Sequence, residues 1–493
     1  MRKPFDSFKL FVLLLTMLLL ASPSSAAKPK VIKLEKGKVY EYSAGTVKRV
    51  DLHISNHDQP KDHPIAMPLI GLTNVVVKGN GATLRLKDSM VGILIMDSKN
   101  IVIENLTIES EKPMLSEAEI TGFKDGKTYA KLLVEGYAGV TSMVMLWDNL
   151  TRSIVPRTGD GGSQVRRLED GTLEFAKDFS QWGAGGKIGD RISMRNGSRP
   201  HPIVCLYRAE NVKLENVVIH DGYGMAWLSQ RSKNIALIGC KLIPREGSFC
   251  AGAVDGAHFS NCAGKIIVKN STFIGMMDDA LNIHSTSLRI QEVSSDRKTL
   301  TLKFMHNQSW GFDIFKAGEK LRFIKAKTLE NGEIATVLNA ETPDLKTVVV
   351  TLDKPLTEGL DVGDAVENAT YQPKETIFAH NTVANNRARG ILLTAPGKVK
   401  VYDNTFDHVS GSAILFSGDA SGWFESGACE DVEIKNNKFI ACNSSYYQFC
   451  NAVISVAPCV PNRAAQKTPY HANIRLKDNS FVDCKEPYTS GMP

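Results

Sequence analysis

Asn100-Ile101-Val102-Ile103-Glu104-Asn105-Leu106-Thr107-Ile108 decides how this chain folds. Apolar and polar residues alternate in two short runs, and an asparagine separates the runs. Alternation with period two marks a strand with one buried face. Asparagine suits the turn because it tolerates left-handed backbone angles. The same phrase starts at Asn74, Asn211, Asn234, Lys265, Thr376, Lys398, Asp431 and Asn473, which makes nine copies. Uninterrupted copies lie 26, 23, 31, 22, 33 and 42 residues apart. No helical period stands between them. An antiparallel sandwich would place hairpin dipeptides between the strands, and these are scarce. The pattern predicts an all-β chain wound as a right-handed parallel β-helix.

A second strand set falls between the phrases. Gly224–Ser229, Asp255–Ser260, Asp279–His284, Arg389–Thr394, Ser412–Phe416 and Asn451–Ser455 align as successive coils. Equivalent strands stack at roughly 4.8 Å, one per coil. Ala257, Phe259, Leu281 and Ile283 then point inward, while His258, Asn282 and His284 point outward on one face. Asp255 and the pair Asp278-Asp279 enter neighbouring strands and lie side by side. Trp227 from the coil before and Arg389 from the coil after are expected to border the same cleft. Nothing basic flanks the pair locally.

Two stretches interrupt the repeat, 111–200 and 286–372. Both carry alternating runs after tight turns such as Ile188-Gly189-Asp190 and Val362-Gly363-Asp364. Each is expected to form a small antiparallel β-barrel hung from the coils. The second leaves directly after His284 and is expected to wall the cleft. The organisation is therefore 1–26 signal peptide, 27–110 first coils, 111–200 barrel, 201–285 central coils, 286–372 barrel and 373–493 last coils.

Arg2, Lys3 and Lys9 precede the apolar run Leu10–Leu20, and small residues follow at Ser24–Ala27. This reads as a cleaved export signal, implying a secreted or periplasmic protein with no membrane insertion. The net charge is +6, and loss of residues 1–26 removes a net +2, leaving about +4. Over this length that is weak, which excludes nucleic acid and polyanions as charge-driven partners. Nine cysteines are few for an exported chain of 493 residues, and no pair has zinc-site spacing. Cys442 and Cys484 each follow an Asn of the repeat by five residues. They occupy equivalent positions, as a disulfide or as a buried free ladder. The sequence says nothing of oligomeric state.

Grouped carboxylates on a β-helix face opposite a neutral partner point to glycoside hydrolysis. One carboxyl protonates the leaving oxygen and another activates water, about 6.5–9.5 Å away in an inverting site. Repulsion between neighbours keeps one of them protonated. Asp255, Asp278 and Asp279 are the candidate catalytic residues, without an order among them. His258, Asn282, His284 and Arg389 are candidate substrate contacts. So are Trp423 and Glu425 in the aromatic loop Gly422–Gly427, since sugar C–H faces pack on rings. The bland alternative for Asp278-Asp279 is a solvated or calcium-binding turn.

Met276-Met277-Asp278-Asp279-Ala280-Leu281-Asn282-Ile283-His284 closely resembles the signature of glycoside hydrolase family 110, the α-1,3-galactosidases. Asp255-Gly256-Ala257-His258-Phe259 followed by Cys262, Arg389–Leu392, Trp423–Gly427 and Gly311–Phe315 resemble this family too. The resemblance implies a β-helix enzyme with barrel inserts. It would release terminal α-1,3-linked galactose from glycans with inversion and without cofactor or metal, using Asp255, Asp278 and Asp279. Ser285 stands where the family usually has Gly, and the chain stops at Pro493 where relatives continue through further coils, which would leave an apolar end exposed. Three other readings compete. A polygalacturonase-like hydrolase needs basic residues beside Asp278-Asp279, where the local sequence offers Arg289 and Arg389. A polysaccharide lyase needs calcium-binding acids and a basic proton acceptor. A glycan-binding β-helix would make the aspartates incidental.

Overall fold

The computed structural model describes residues 28–445, 447 and 450–489. The expected signal segment lies outside them. No helix among the described residues is long and apolar enough to cross a membrane.

The coils form two sheet systems. One is a 17-stranded parallel sheet holding all nine phrases. Val75, Ile101, Val212, Ile235, Ile266, Thr376, Val399, Val432 and Ile474 stand in one column. Thr376 holds that column where the phrase placed its start, so that copy begins one residue earlier. A further coil, Lys30–Lys33, pairs in parallel below the first phrase. It does not show the repeat in sequence, because it has one apolar pair and no turn asparagine. The separating asparagines adopt left-handed angles, φ 55° at Asn105 and 52° at Asn216, and so do the asparagines that open the phrases, 57° at Asn74 and Asn100 and 55° at Asn211. Their amides also bond coil to coil, Asn100 Nδ2 donating to Asn74 Oδ1 at 2.7 Å and Asn211 to Asn100 at 2.9 Å. Inside, Phe378, Phe406, Phe439 and Phe481 stack with centroids 5.0–6.2 Å apart. The thiols of Cys442 and Cys484 donate to the Phe406 and Phe439 carbonyls, and all nine cysteines are free. In the last coil Leu476 and Val482 are exposed.

The second system carries the cleft. Its parallel strands run through Val204–Tyr207, Trp227–Gln230, Ala257–Ser260, Leu281–Val293, Ile391–Leu393 and Ile414–Phe416. Ala257 pairs with Leu281, which pairs with Ile391, which pairs with Ile414. The alignment of the central coils therefore holds. It slips by one residue at two others. Trp227, not Ala226, pairs with Ala257, and Ile454, not Val453, pairs with Ile414. A one-residue slip turns a side chain to the opposite face. Trp227 consequently lies in the core and does not border the cleft.

Gly256, Ala280, Gly390 and Ala413 occupy one column just before these strands. Small residues are needed there. A Cβ on Gly390 would stand 2.4 Å from the Ala413 carbonyl oxygen and 2.9 Å from Phe406 Cδ1. Gly390→Ala is expected to cost about 1–3 kcal/mol by overpacking. Denaturant unfolding checks this, and an unchanged midpoint would show that the coil relaxes freely.

The first interruption folds as a seven-stranded antiparallel sheet with its own core around Phe175, Phe179 and Leu146. Its end strands, Gly161–Gly162 and Val165–Arg167, follow one another in sequence, so the sheet curls round. The second is a closed barrel. Leu281–Val293 pairs on one side with Thr299–Lys303 and on the other with Ala365–Asn368. The circle closes through Thr347–Leu352, Asn331–Asp344 and Lys320–Ile324. The strand that starts at the aspartate pair thus serves the β-helix first and the barrel second.

Candidate active site

Asp255, Asp279 and Arg389 occupy one column in three successive coils. The Gly256 N–H donates to the Asp279 carbonyl at 2.8 Å, and Ala280 N–H to that of Gly390 at 2.8 Å. Asp279 is therefore held between a carboxyl on one side and a guanidinium on the other. Arg389 Nη2 donates to Asp279 Oδ2 at 2.9 Å, with Nε 2.8 Å from Oδ1. Asp278 precedes the column by one residue and turns into the pocket. One oxygen of each aspartate lies within 4.8 Å of the others. These oxygens approach more closely than the roughly 6.5–9.5 Å expected between the acid and base groups.

The expectation that nothing basic neutralises the pair fails. Asp278 faces Arg389 at 3.6 Å, Arg199 at 3.7 Å and Arg387 at 4.0 Å. At about 4 Å each such pair is worth about 4 kcal/mol in a medium of effective dielectric 20. Burial alone would raise the Asp278 carboxyl, but Arg389, Arg387, Arg199 and Arg195 outweigh it and hold the group below the usual carboxylate range. Asp255 touches no guanidinium. Burial, with the neighbouring Asp278 charge, pushes it up to about 8. Burial also drives Asp279 well up, against the pull of Arg389. The cluster thus holds one carboxyl biased toward the charged form, Asp278, and two biased toward the protonated form, Asp255 and Asp279. A calcium turn would instead keep all three charged, and three arginines around it oppose a cation.

The pocket has a volume of about 450 Å³. Asp255, Asp278, Asp279, Asn282, Arg389, Trp423 and Glu425 all line it. Leu392 and Leu415, stacked above Asn282, make an apolar floor. His258 and His284 do not line it. They are buried beneath, His258 Nδ1 at 2.7 Å from Asp255 Oδ2 and the two Nε2 atoms 2.8 Å apart. They point away from the coil core as expected, but Glu425 and the Asn56 loop cover them. Glu425 is placed by pairing with Thr286 and accepts from Asn56 Nδ2 at 2.8 Å. Burial would raise Glu425, yet it sits below its ordinary value, with the Asn56 amide donating to it.

Sequence reasoning missed Asn56, Asp160, Arg199, Arg387, Asp419 and Tyr447, which also line it. Arg387 was visible two residues before Arg389, in the loop equivalent to the one carrying Asp278. The others carry no local signal. Asp160 comes from the first interruption and pairs with Arg387, whose Nε lies at 2.5 Å. The first inserted unit is therefore a pocket wall. The barrel after His284 contributes no lining residue. It supports the pocket from behind, where His306 stacks on Trp423 with centroids 4.2 Å apart.

The Trp423 loop is built around a carboxylate. Asp419 accepts backbone N–H bonds from Ser421, Gly422, Trp423 and Phe424 at 2.7–3.1 Å. Asp419→Ala removes all four, each a charge-assisted bond worth about 1.5–3 kcal/mol. The loop is then expected to lose its conformation and KM to rise about tenfold or more with smaller change in kcat. Steady-state kinetics with tryptophan fluorescence checks this. An unchanged KM would remove the loop from substrate binding.

The family description "GLAA-B beta-barrel domain II" matches residues 299–366, and "Right handed beta helix region" matches 363–486. The chain is 40% identical over 473 residues to an Alpha-1,3-galactosidase B of Akkermansia muciniphila, covering 92% of this chain and 59% of that protein. It is 33% identical over 491 residues to an Alpha-1,3-galactosidase B of Parabacteroides distasonis, covering 93% and 79%. It is 31% identical over 480 residues to an Alpha-1,3-galactosidase A of Bacteroides fragilis, covering 92% and 78%. Thus the chain spans under two thirds of the Akkermansia relative's length. Among solved structures, the family 28 exopolygalacturonase of Yersinia enterocolitica is similar at a TM-score of 0.35 and 10% identity, covering 95% of this chain and 77% of that one. On its similarity to the Parabacteroides and Bacteroides relatives, the chain belongs to the α-1,3-galactosidase family.

Proposed function

We propose that this chain is an exo-acting glycoside hydrolase that releases terminal α-1,3-linked galactose from neutral glycans with inversion. The observation that carries it is the unequal setting of two carboxyls in one pocket: Asp278 faces Arg389, Arg199 and Arg387, while Asp255 is buried against His258. Asp255, protonated, gives its proton to the glycosidic oxygen. Asp278, held charged, takes a proton from the attacking water. Asp279 offers a second oxygen within 4.8 Å. Water donating two bonds of about 2.8 Å at its own angle spans acceptors about 4.4 Å apart, so one water fits between the two carboxyls. A carboxylate clamped by guanidiniums is a poor nucleophile, which favours direct attack by water over a covalent intermediate. Asp160 of the first inserted unit and Trp423 both line the pocket, and a pocket walled from two parts of the chain suits a chain end. The linkage and the sugar rest on the relatives' names. Export rests on residues 1–26.

An acidic substrate has one observation in its favour, the arginines around Asp278. Each guanidinium already faces an acidic side chain: Arg389 faces Asp279, Arg387 faces Asp160 and Arg199 faces Asp278. A sugar carboxylate would have to displace one of these.

The test is hydrolysis of an α-1,3-linked galactose disaccharide, with the product anomer followed by NMR. β-Galactose appearing first is the expected result. α-Galactose first would overturn inversion, and no turnover would overturn the enzyme reading.

A further inference from the structure

We propose that His258 and His284 are positioning residues whose fixed tautomers impose a proton on Asp255. This rests on the reading of Asp255 as the catalytic acid. The argument starts at an atom with no choice. The Ser285 carbonyl oxygen can only accept, so His284 Nδ1, 3.0 Å away, carries a proton and donates. With one proton on the ring, His284 Nε2 is then a lone pair. It faces His258 Nε2 at 2.8 Å, which must donate. His258 Nδ1 is left as a lone pair, 2.7 Å from Asp255 Oδ2. That contact holds only if the Asp255 carboxyl carries the proton. A carbonyl three groups away thus sets the acid's state.

The surroundings support this order. His258 is fully buried, and burial brings its imidazole down to about 3, so it stays neutral. The titratable and charged groups around it are Asp255, Asp278, Glu425 and Arg199, with His284 on the next coil and His57 on the loop that covers the site. The competing arrangement carries the same three protons. Asp255 becomes a carboxylate, His258 donates from Nδ1 and His284 becomes an imidazolium. Glu425 Oε1, 3.6 Å from His284 Nε2, is the group that would favour it. Two protons shifting along one line interconvert the arrangements, and the buried neutral one costs less in a low dielectric.

The experiment compares His284→Leu and His284→Gln in the full chain. Leucine removes the acceptor for His258 Nε2–H. His258 can then place its proton on Nδ1 and donate to an Asp255 carboxylate, which releases the acid's proton at lower pH. The basic limb of kcat/KM for the disaccharide is expected to fall by about one unit. Near pH 7.5 a limb moved from about 8 down by one unit is a loss of about threefold for the disaccharide, approaching tenfold near pH 9, and less for an aryl α-galactoside, whose leaving group needs no proton. Glutamine can accept through its side-chain oxygen and is expected to restore the limb. Coincident limbs for wild type and His284→Leu would overturn the proposal. So would equal losses on both substrates. If Asp255→Asn also loses both substrates equally, the catalytic-acid reading fails instead. Neutron diffraction of the wild type near pH 6.5 is independent of variant folding. Deuterium on Asp255 Oδ2 and His258 Nε2 is expected, and deuterium on His258 Nδ1 beside a bare carboxylate overturns the proposal.

Discussion

Asp255→Asn is expected to lower kcat/KM for the disaccharide by about 10²- to 10⁴-fold, the usual worth of a general acid. It is also expected to stabilise the fold, increasingly so as pH rises. The Asp255 carboxyl is pushed up to about 8 in the native state by burial and by Asp278. The unfolded value is near 3.9. Between these limits the native state keeps a proton that the unfolded chain has lost. Stability therefore falls as pH rises through that window, because the native state binds more protons. Asparagine fits the same space without titrating, so this part of the decline disappears. Thermal unfolding at pH 5 and pH 8 reads the effect. A melting difference between variant and wild type that is the same at both would refute the protonated acid. Retained disaccharide activity would refute its catalytic role.

The second large effect is expected at Arg389. Its side chain contacts Asp279 at 2.8–2.9 Å and Asp278 at 3.6 Å. Arg389→Met leaves two buried carboxyl groups without their common partner, a change that typically costs about 3–5 kcal/mol. Arg389 is also the strongest of the arginines holding Asp278 down. Without it the Asp278 value rises, and the acid limb of the rate profile moves to higher pH. In the wild type, Asp278's depressed value contributes stability above its unfolded pKa that is lost as pH falls. The stability gap between wild type and variant should accordingly narrow toward pH 4. Arg389→Lys keeps the charge without the planar fork and should recover stability better than rate. An acid limb unmoved in Arg389→Met would show that Asp278 does not depend on this guanidinium.

Much of the fold was legible because a β-helix repeats itself locally. Asn74, Asn100 and Asn211 mark turns that period two and left-handed angles explain without reference to distant chain. The column joining Ala257, Leu281, Ile391 and Ile414 was legible for the same reason. Trp227 was not. Its segment starts one residue out of step, and nothing in a six-residue strand announces a slip that exchanges its faces. Lys30–Lys33 was missed because two apolar residues make no period.

The site divides along the same line. Asp255, Asp279 and Arg389 share a column, so their neighbourhood follows from coil spacing alone, as does the nearness of His258 to Asn282. Sequence therefore determined the architecture, the coil order and which carboxyls meet. Tertiary structure decided the charge state of those carboxyls and the walls around them. Arg199 and Asp160 reach the pocket from the first inserted unit, and Asn56 from a loop of the first coils. Asp419 shapes the loop that presents Trp423. Their contacts span separations at which the repeat carries no register. The physical reason is one of range. Strand alternation and stacking act between neighbours one coil apart. Desolvation and Coulomb pairing depend on everything that closes over a group, whichever part of the chain supplies it.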